Sequence, residues 1–153
     1  MKMRAAILET INGPLTVGEV GLTDLQFGQV LVKVLVSGIC GSQLQEIAGN
    51  KNNATFVPHL MGHEGAGLVE KVGHGITKVK VGDKVVMHWR IGDGIESDFP
   101  SYTYKDKTMR SGKVTTLSEY SIVSENRITP VPQDTPNELC ALLGCGLSTA
   151  LST

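Results

Sequence analysis

Between Gln29 and Ser37 the chain runs Gln-Val-Leu-Val-Lys-Val-Leu-Val-Ser, a β-branched and aliphatic stretch. It predicts a strand near the centre of a sheet. Shorter apolar runs follow the same pattern: Met3–Glu9, its hairpin-like return arm Leu15–Val20, Gly65–Val72, Lys84–Met87, Ser118–Val123 and Arg127–Val131. Turn signals such as Asn12-Gly13-Pro14 and Val81-Gly82-Asp83 punctuate them, which gives about seven short strands.

Helical spacing is rarer. Leu44, Ile47 and Ala48 predict a helix over Ser42–Ala48, stopped by Gly49-Asn50, so Cys40 falls at a strand-to-helix turn and Ser42 suits an N-cap. Thr135-Pro136-Asn137-Glu138 has the form of a capping box, opening a helix through Leu139–Leu143 that places Cys145 at its far end. Ser148–Thr153 reads as the start of a further helix. Arg90–Lys113 has no periodicity and reads as one long surface loop, the segment expected to be least ordered. There is no internal repeat and no G-x-G-x-x-G unit, since Gly73-His74-Gly75 lacks the third glycine and a following helix. No dinucleotide fold is expected within the chain.

Composition narrows the function classes. The 153 residues suit one domain. With 14 Lys and Arg against 15 Asp and Glu, no basic field exists to attract nucleic acid or anionic lipid; a small molecule is the expected partner. No stretch approaches the ~20 apolar residues of a membrane span, and the N-terminus lacks a signal sequence. A cytoplasmic protein is the expectation. Three unevenly spaced cysteines fit reduced thiols better than a disulfide framework.

Cys40, His63 and Cys145 each sit at a glycine-flanked turn. Thiolate and imidazole are ligands that Zn²⁺ prefers, and three of them with one open position make a catalytic rather than a structural arrangement. Spacing alone leaves metal ligation and plain burial both open, because a lone cysteine behaves as a small hydrophobe. His59, His74 and His88 have no partner pattern and read as surface or loop residues. Cys140, among Leu139, Ala141 and Leu142, reads as packing.

Gly62-His63-Glu64-Gly65-Ala66-Gly67, followed by Gly73 and Ile76, resembles the G-H-E-x-x-G-x5-G signature of the zinc-containing alcohol dehydrogenases of the medium-chain superfamily. Gly38-Ile39-Cys40-Gly41-Ser42, Val81-Gly82-Asp83-Lys84-Val85 and Leu143-Gly144-Cys145-Gly146-Leu147-Ser148-Thr149 look like further landmarks, in the family's order and over nearly the whole chain. The resemblance implies a mainly β fold, a partly open barrel of the GroES-like kind with a few short helices. It implies Cys40, His63 and Cys145 as ligands of one catalytic zinc, with Glu64 beside it. Ser42 would accept the alcohol proton, Thr149 would approach the nicotinamide of NAD or NADP, and Trp89 would shape the substrate pocket. The substrate would be a small alcohol or carbonyl compound and the full-length enzyme a homo-oligomer. The family places a doubly wound nucleotide-binding domain after Thr153.

Three departures stand out. Gln43 replaces an Asp that supports the ligand histidine, which weakens the usual carboxylate-histidine-zinc chain. Gln45 replaces a histidine at the outer end of the proton relay. Arg90–Lys113 contains none of the four cysteines of a structural zinc lobe, so no structural zinc is expected. Two rival readings share the barrel: a zinc-free quinone or enoyl reductase domain, and a non-catalytic binding module.

Overall fold

The computed structural model describes residues 1–51 and 56–152. The order of elements is β1 (Lys2–Leu8), β2 (Leu15–Leu22), β3 (Gln29–Ser37), α1 (Gly41–Ile47), β4 (His59–Leu60), β5 (Gly65–Val72), β6 (Lys84–Met87), β7 (Ser101–Tyr104), β8 (Lys107–Arg110), β9 (Tyr120–Ser124), β10 (Ile128–Pro130), α2 (Asn137–Leu143) and α3 (Gly146–Ala150). They form two five-stranded antiparallel sheets, ordered β4-β1-β2-β7-β8 and β10-β6-β5-β3-β9. Residues 117–119 tie the sheets together: the Ala6 N–H donates to Leu117 O (2.8 Å), Glu119 N to Arg4 O (3.1 Å) and Val34 N to Glu119 O (2.9 Å). The sheets therefore curl into a partly open barrel, and the mainly β architecture with short helices is the one expected.

As its β-branched and aliphatic run predicts, β3 is central, paired to β5 on one side and β9 on the other. Val30 and Val32 are fully buried and pack with Val69, Val85, Val123 and Ile128. A second cluster, built on Met3, Ile7, Val20, Tyr102 and Ile122, fills the space beneath the other sheet. Cys140 and Ala141 seat α2 on Ala66 and Val86, which gives Cys140 the packing role its apolar neighbours suggest. No helix among the described residues is long and apolar enough to cross a membrane.

Three expectations need correction. Arg90–Lys113 is not one unstructured loop, because it contains the β7–β8 hairpin. Tyr102, Tyr104 and Met109 alternate inward along it, and Lys105 and Asp106 form the turn with φ of 49° and 59°. That conformation normally recruits Asn-Gly or Asp-Gly, so the turn signal was missing although the period-2 pattern was there. The Thr135 capping box does not form either: α2 starts at Asn137 with Pro136 as N-cap and no side-chain cap. The buried Lys84 ammonium instead takes the carbonyls of Gln133 (3.2 Å) and Thr135 (2.5 Å) and holds that turn outside the helix. The short β4, and with it ten strands among the described residues rather than seven, went unpredicted. The helix expected at Ser148–Thr153 is α3, which starts two residues earlier; Thr153 lies outside the described residues.

Candidate metal centre

β3 carries a bulge between Val34 and Val36, and beyond Ser37 the chain turns so that Cys40 becomes the N-cap of α1. Gln43, three residues on, accepts the Cys40 N–H through Oε1 at 2.8 Å. The N-cap is therefore Cys40 rather than Ser42, which sits inside the first turn. The Ser42 backbone N–H pulls the Cys40 thiol below its ordinary range, against the effect of burial. Cys145 caps α3 at the other side of the site; burial pushes its thiol up. Both cysteines are free, with their sulfurs 4.0 Å apart.

His63 and Glu64 lie directly ahead of β5. Gly62 brings them there with φ of 100°, and a Cβ at that position would stand 2.4 Å from Thr116 Oγ1 and 2.6 Å from Leu117 N, so only glycine fits. His63 Nδ1 is 3.3 Å from Ser42 Oγ, while Nε2 is buried with no hydrogen-bond partner among the described residues. Burial lowers the imidazole's pKa against the raising influence of Glu64, which favours the neutral ring. The tautomer with its hydrogen on Nδ1 donates to Ser42 and leaves Nε2 as a bare lone pair. Glu64 is 2% exposed, and its Oε2 accepts the Gly146 N–H at 2.9 Å. Gly144 permits this contact, because a Cβ there would meet Met87 O at 2.4 Å and Glu64 Cβ at 2.8 Å.

Four donor atoms, one each from Cys40, His63, Glu64 and Cys145, thus lie within 4.8 Å of one another. Two reduced thiols, a neutral imidazole with an unpartnered nitrogen and a carboxylate are a donor set that suits Zn²⁺. The expected support from position 43 takes another form: Gln43 bonds the Cys40 backbone, and its own Nε2 has no partner among the described residues. Gln45 is exposed and turned to Asn50 Nδ2 at 2.7 Å, away from the cluster.

The cluster opens into a cleft of about 390 Å³ whose walls include Cys40, Ser42, His63, Cys145 and Trp89. Thr149 is exposed on α3, with Oγ1 3.8 Å from Cys145 Sγ. The wall also uses Glu46, Lys51 and Lys113, which were not foreseen. Glu46 stands four residues after Ser42 on α1, so the helical period could have found it. Lys113 could not have been found this way, because it is positioned by Glu96 (2.9 Å), Ser97 O (2.6 Å) and the Phe99 ring (4.4 Å). His59, expected at the surface, is 4% exposed. β4 carries it inward, where Nδ1 meets Leu60 O at 2.8 Å and Nε2 lies 3.6 Å from Glu46. His74 is exposed and His88 half-buried, neither among the clustered donors.

Comparison with known proteins adds a second line of observation. The profile of the alcohol dehydrogenase GroES-like domain matches residues 26–133. Alcohol dehydrogenase 6 of Peromyscus maniculatus is 33% identical over 173 aligned positions, covering 97% of this chain and 46% of that relative. The chain thus spans about half the length of the curated relative it matches. Among solved structures, an alcohol dehydrogenase zinc-binding domain protein from Burkholderia ambifaria superposes with a TM-score of 0.87 at 22% identity, covering 97% of this chain and 47% of that one. A quinone oxidoreductase from Coxiella burnetii does so with a TM-score of 0.75 at 18% identity, covering 99% and 44%. At these identities the two structures show a shared fold.

Proposed function

This chain belongs to the alcohol dehydrogenase GroES-like domain family, and from that premise we propose that it is the zinc-holding catalytic domain of a nicotinamide-dependent alcohol dehydrogenase. The reaction would be oxidation of an alcohol to an aldehyde or ketone, or the reverse. The observation that carries this reading is the convergence of Cys40, His63 and Cys145 on the wall of a cleft, with the buried Glu64 beside them. Cys40, His63 and Cys145 would hold one catalytic zinc, and the cysteine-free Arg90–Lys113 segment leaves no structural one. When bound, zinc would supply Lewis-acid polarisation of the substrate oxygen, and NAD or NADP, seated in a further domain, the hydride acceptor.

The chain's own residues divide the remaining work. Ser42, on the cleft wall, would accept the alcohol proton as its own hydroxyl proton passes to solvent in the open cleft, and its contact with His63 aims the hydroxyl. Glu64 is pinned by the Gly146 amide beside the ligands, where its charge orients and balances the donor set. Trp89 bounds the substrate space, and Thr149 stands at the edge where a nicotinamide would approach. A small alcohol or carbonyl partner, a cytoplasmic setting and a homo-oligomeric full-length enzyme complete the reading.

Zinc loading followed by elemental analysis tests it. About one Zn²⁺ per chain is expected, falling with Cys145→Ala and unchanged with Cys140→Ala, since only the former belongs to the donor set. A folded chain that retains no zinc would favour the zinc-free reductase reading, whose fold the quinone oxidoreductase shares. Two tightly held zincs would contradict the single-site proposal.

A further inference from the structure

A second cavity adjoins the cleft. It holds about 300 Å³, is lined by Phe56, His59, Phe99, Arg110 and Ser111, and shares Glu46 and Gly112 with the cleft wall. Both spaces have the size and the mostly apolar lining of small-ligand sites.

Two features give the side chamber a chemical character. Phe56 and Phe99 are 60% and 58% exposed, yet they line a concave surface; the Lys113 ammonium stands over the Phe99 ring at 4.4 Å, and the aromatic surface left exposed suits a flat apolar body. Arg110, on the last residue of β8, has no carboxylate partner among the described residues, whereas Lys113 is paired with Glu96. Lys51 on the adjoining wall also has no carboxylate partner among the described residues. Among the described residues Glu46 is the one acid lining either cavity, and it faces His59. The surplus on these walls is therefore cationic, and a guanidinium is the side chain best shaped to grip a carboxylate.

We infer that the side chamber is a substrate-specificity site: it takes the distal end of an alcohol or aldehyde whose body is flat and apolar and whose far end is anionic. Phe56 and Phe99 flank the body, and Arg110 receives the anion. The inference rests on the proposal that the reacting oxygen sits in the cleft. It adds a class of substrate that the family assignment does not specify.

Trp89 is the chain's single tryptophan and lines the cleft, so binding has a direct optical readout. The chain is titrated with 4-(hydroxymethyl)benzoate and with benzyl alcohol, following Trp89 fluorescence and the amide resonances of Ser111 and Gly112. The carboxylate compound should bind about tenfold more tightly, as a charge-assisted hydrogen bond in a partly buried site provides. Arg110→Met should erase that preference, Arg110→Lys should restore part of it, and Phe99→Ala should weaken both compounds. Arg110 and Phe99 are exposed, so these variants should fold normally. Equal affinities, no detectable binding of the carboxylate compound, or a preference that survives Arg110→Met would overturn the inference. The readout needs neither zinc nor nicotinamide. A selective chamber in a chain that holds no zinc would therefore sink the dehydrogenase proposal alone, and a zinc-binding chain without the preference would sink the chamber alone.

Discussion

Glu64 and Glu125 are both 2% exposed, yet they serve different ends. Glu125 lies in a single 3-10 turn after β9 and accepts three backbone amides: Thr77 (2.7 Å), Lys78 (2.8 Å) and Ile95 (2.9 Å). It fastens two long connections to the barrel. Burial pushes its carboxyl up, but those three amides prevail and hold it below the ordinary range. Glu64 accepts one amide, from Gly146, and its remaining acceptor capacity faces two thiols and an imidazole. Equal burial of the same side chain thus separates into scaffold and chemistry by counting how many acceptor positions the protein itself fills.

Removing each carboxylate's charge tests the contrast, and the largest effect is expected at Glu125. In Glu125→Gln the side-chain NH₂ would confront buried amide donors, and the loss should be about 3–5 kcal/mol in urea unfolding. Glu64→Gln should cost about 1 kcal/mol of stability, because one neutral hydrogen bond survives. It should nevertheless lower zinc affinity about 10- to 100-fold. Equal stability losses for the two variants would mean that Glu64 is scaffold as well.

A smaller effect than at Glu125 is expected at Tyr102, which belongs to the scaffold side. Its hydroxyl accepts the Ile122 N–H at 2.9 Å inside the core, and burial raises its pKa. Tyr102→Phe keeps the ring packing but orphans that amide, so about 1–2 kcal/mol should be lost in the same urea assay. No measurable change would show that the hydroxyl contributes nothing and that ring burial alone secures the β7–β8 hairpin.

The two sides of this comparison were not equally legible in the sequence. Residue type and flanking glycines marked Cys40, His63 and Cys145 as possible donors but left plain burial open as well; the resemblance of the Gly38–Ser42, Gly62–Gly67 and Leu143–Thr149 segments to the alcohol dehydrogenase signature grouped them, and the structure brings their side chains together with Glu64. β3, β5 and β6 were legible through their apolar runs, with bounds that match the structure. Glu125 was not, since its partners are backbone amides 30 to 48 residues away, and amides leave no mark in a sequence. His59 was misplaced for a related reason: β4 is two residues long, and its inward position depends on pairing with Ile7 and Leu8 of β1. Lys113 joins the cleft wall because Glu96, the Ser97 carbonyl and the Phe99 ring draw it there. Local pattern therefore revealed the central sheet and the turns that carry the clustered side chains, while tertiary contacts built the cleft wall.

Glu96 lies between the two extremes and carries the smallest expected effect. Its side chain is 39% exposed and pairs with Lys113 (2.9 Å) and Arg127 (3.2 Å). Burial raises its pKa, but hydrogen bonds from Lys113, Arg127 and Asn126 outweigh that and lower it from 4.5 to about 2. As pH falls, the unfolded chain binds this proton near 4.5, whereas the folded chain resists until about 2. The stabilisation is therefore complete above 4.5, fades as pH drops through that window and is gone below about 2. Because more than a third of the side chain meets solvent, screening reduces its worth to about 1 kcal/mol. Glu125 also has a lowered pKa and weakens the wild type in acid, so only the difference between wild type and Glu96→Gln isolates this carboxylate. In urea titrations the variant should be about 1 kcal/mol less stable near neutrality and should converge on the wild type as the pH approaches about 2. A gap of constant size across that range would mean that the loss comes from altered packing of the loop, and that the charge of Glu96 does not anchor Lys113 at the cleft wall.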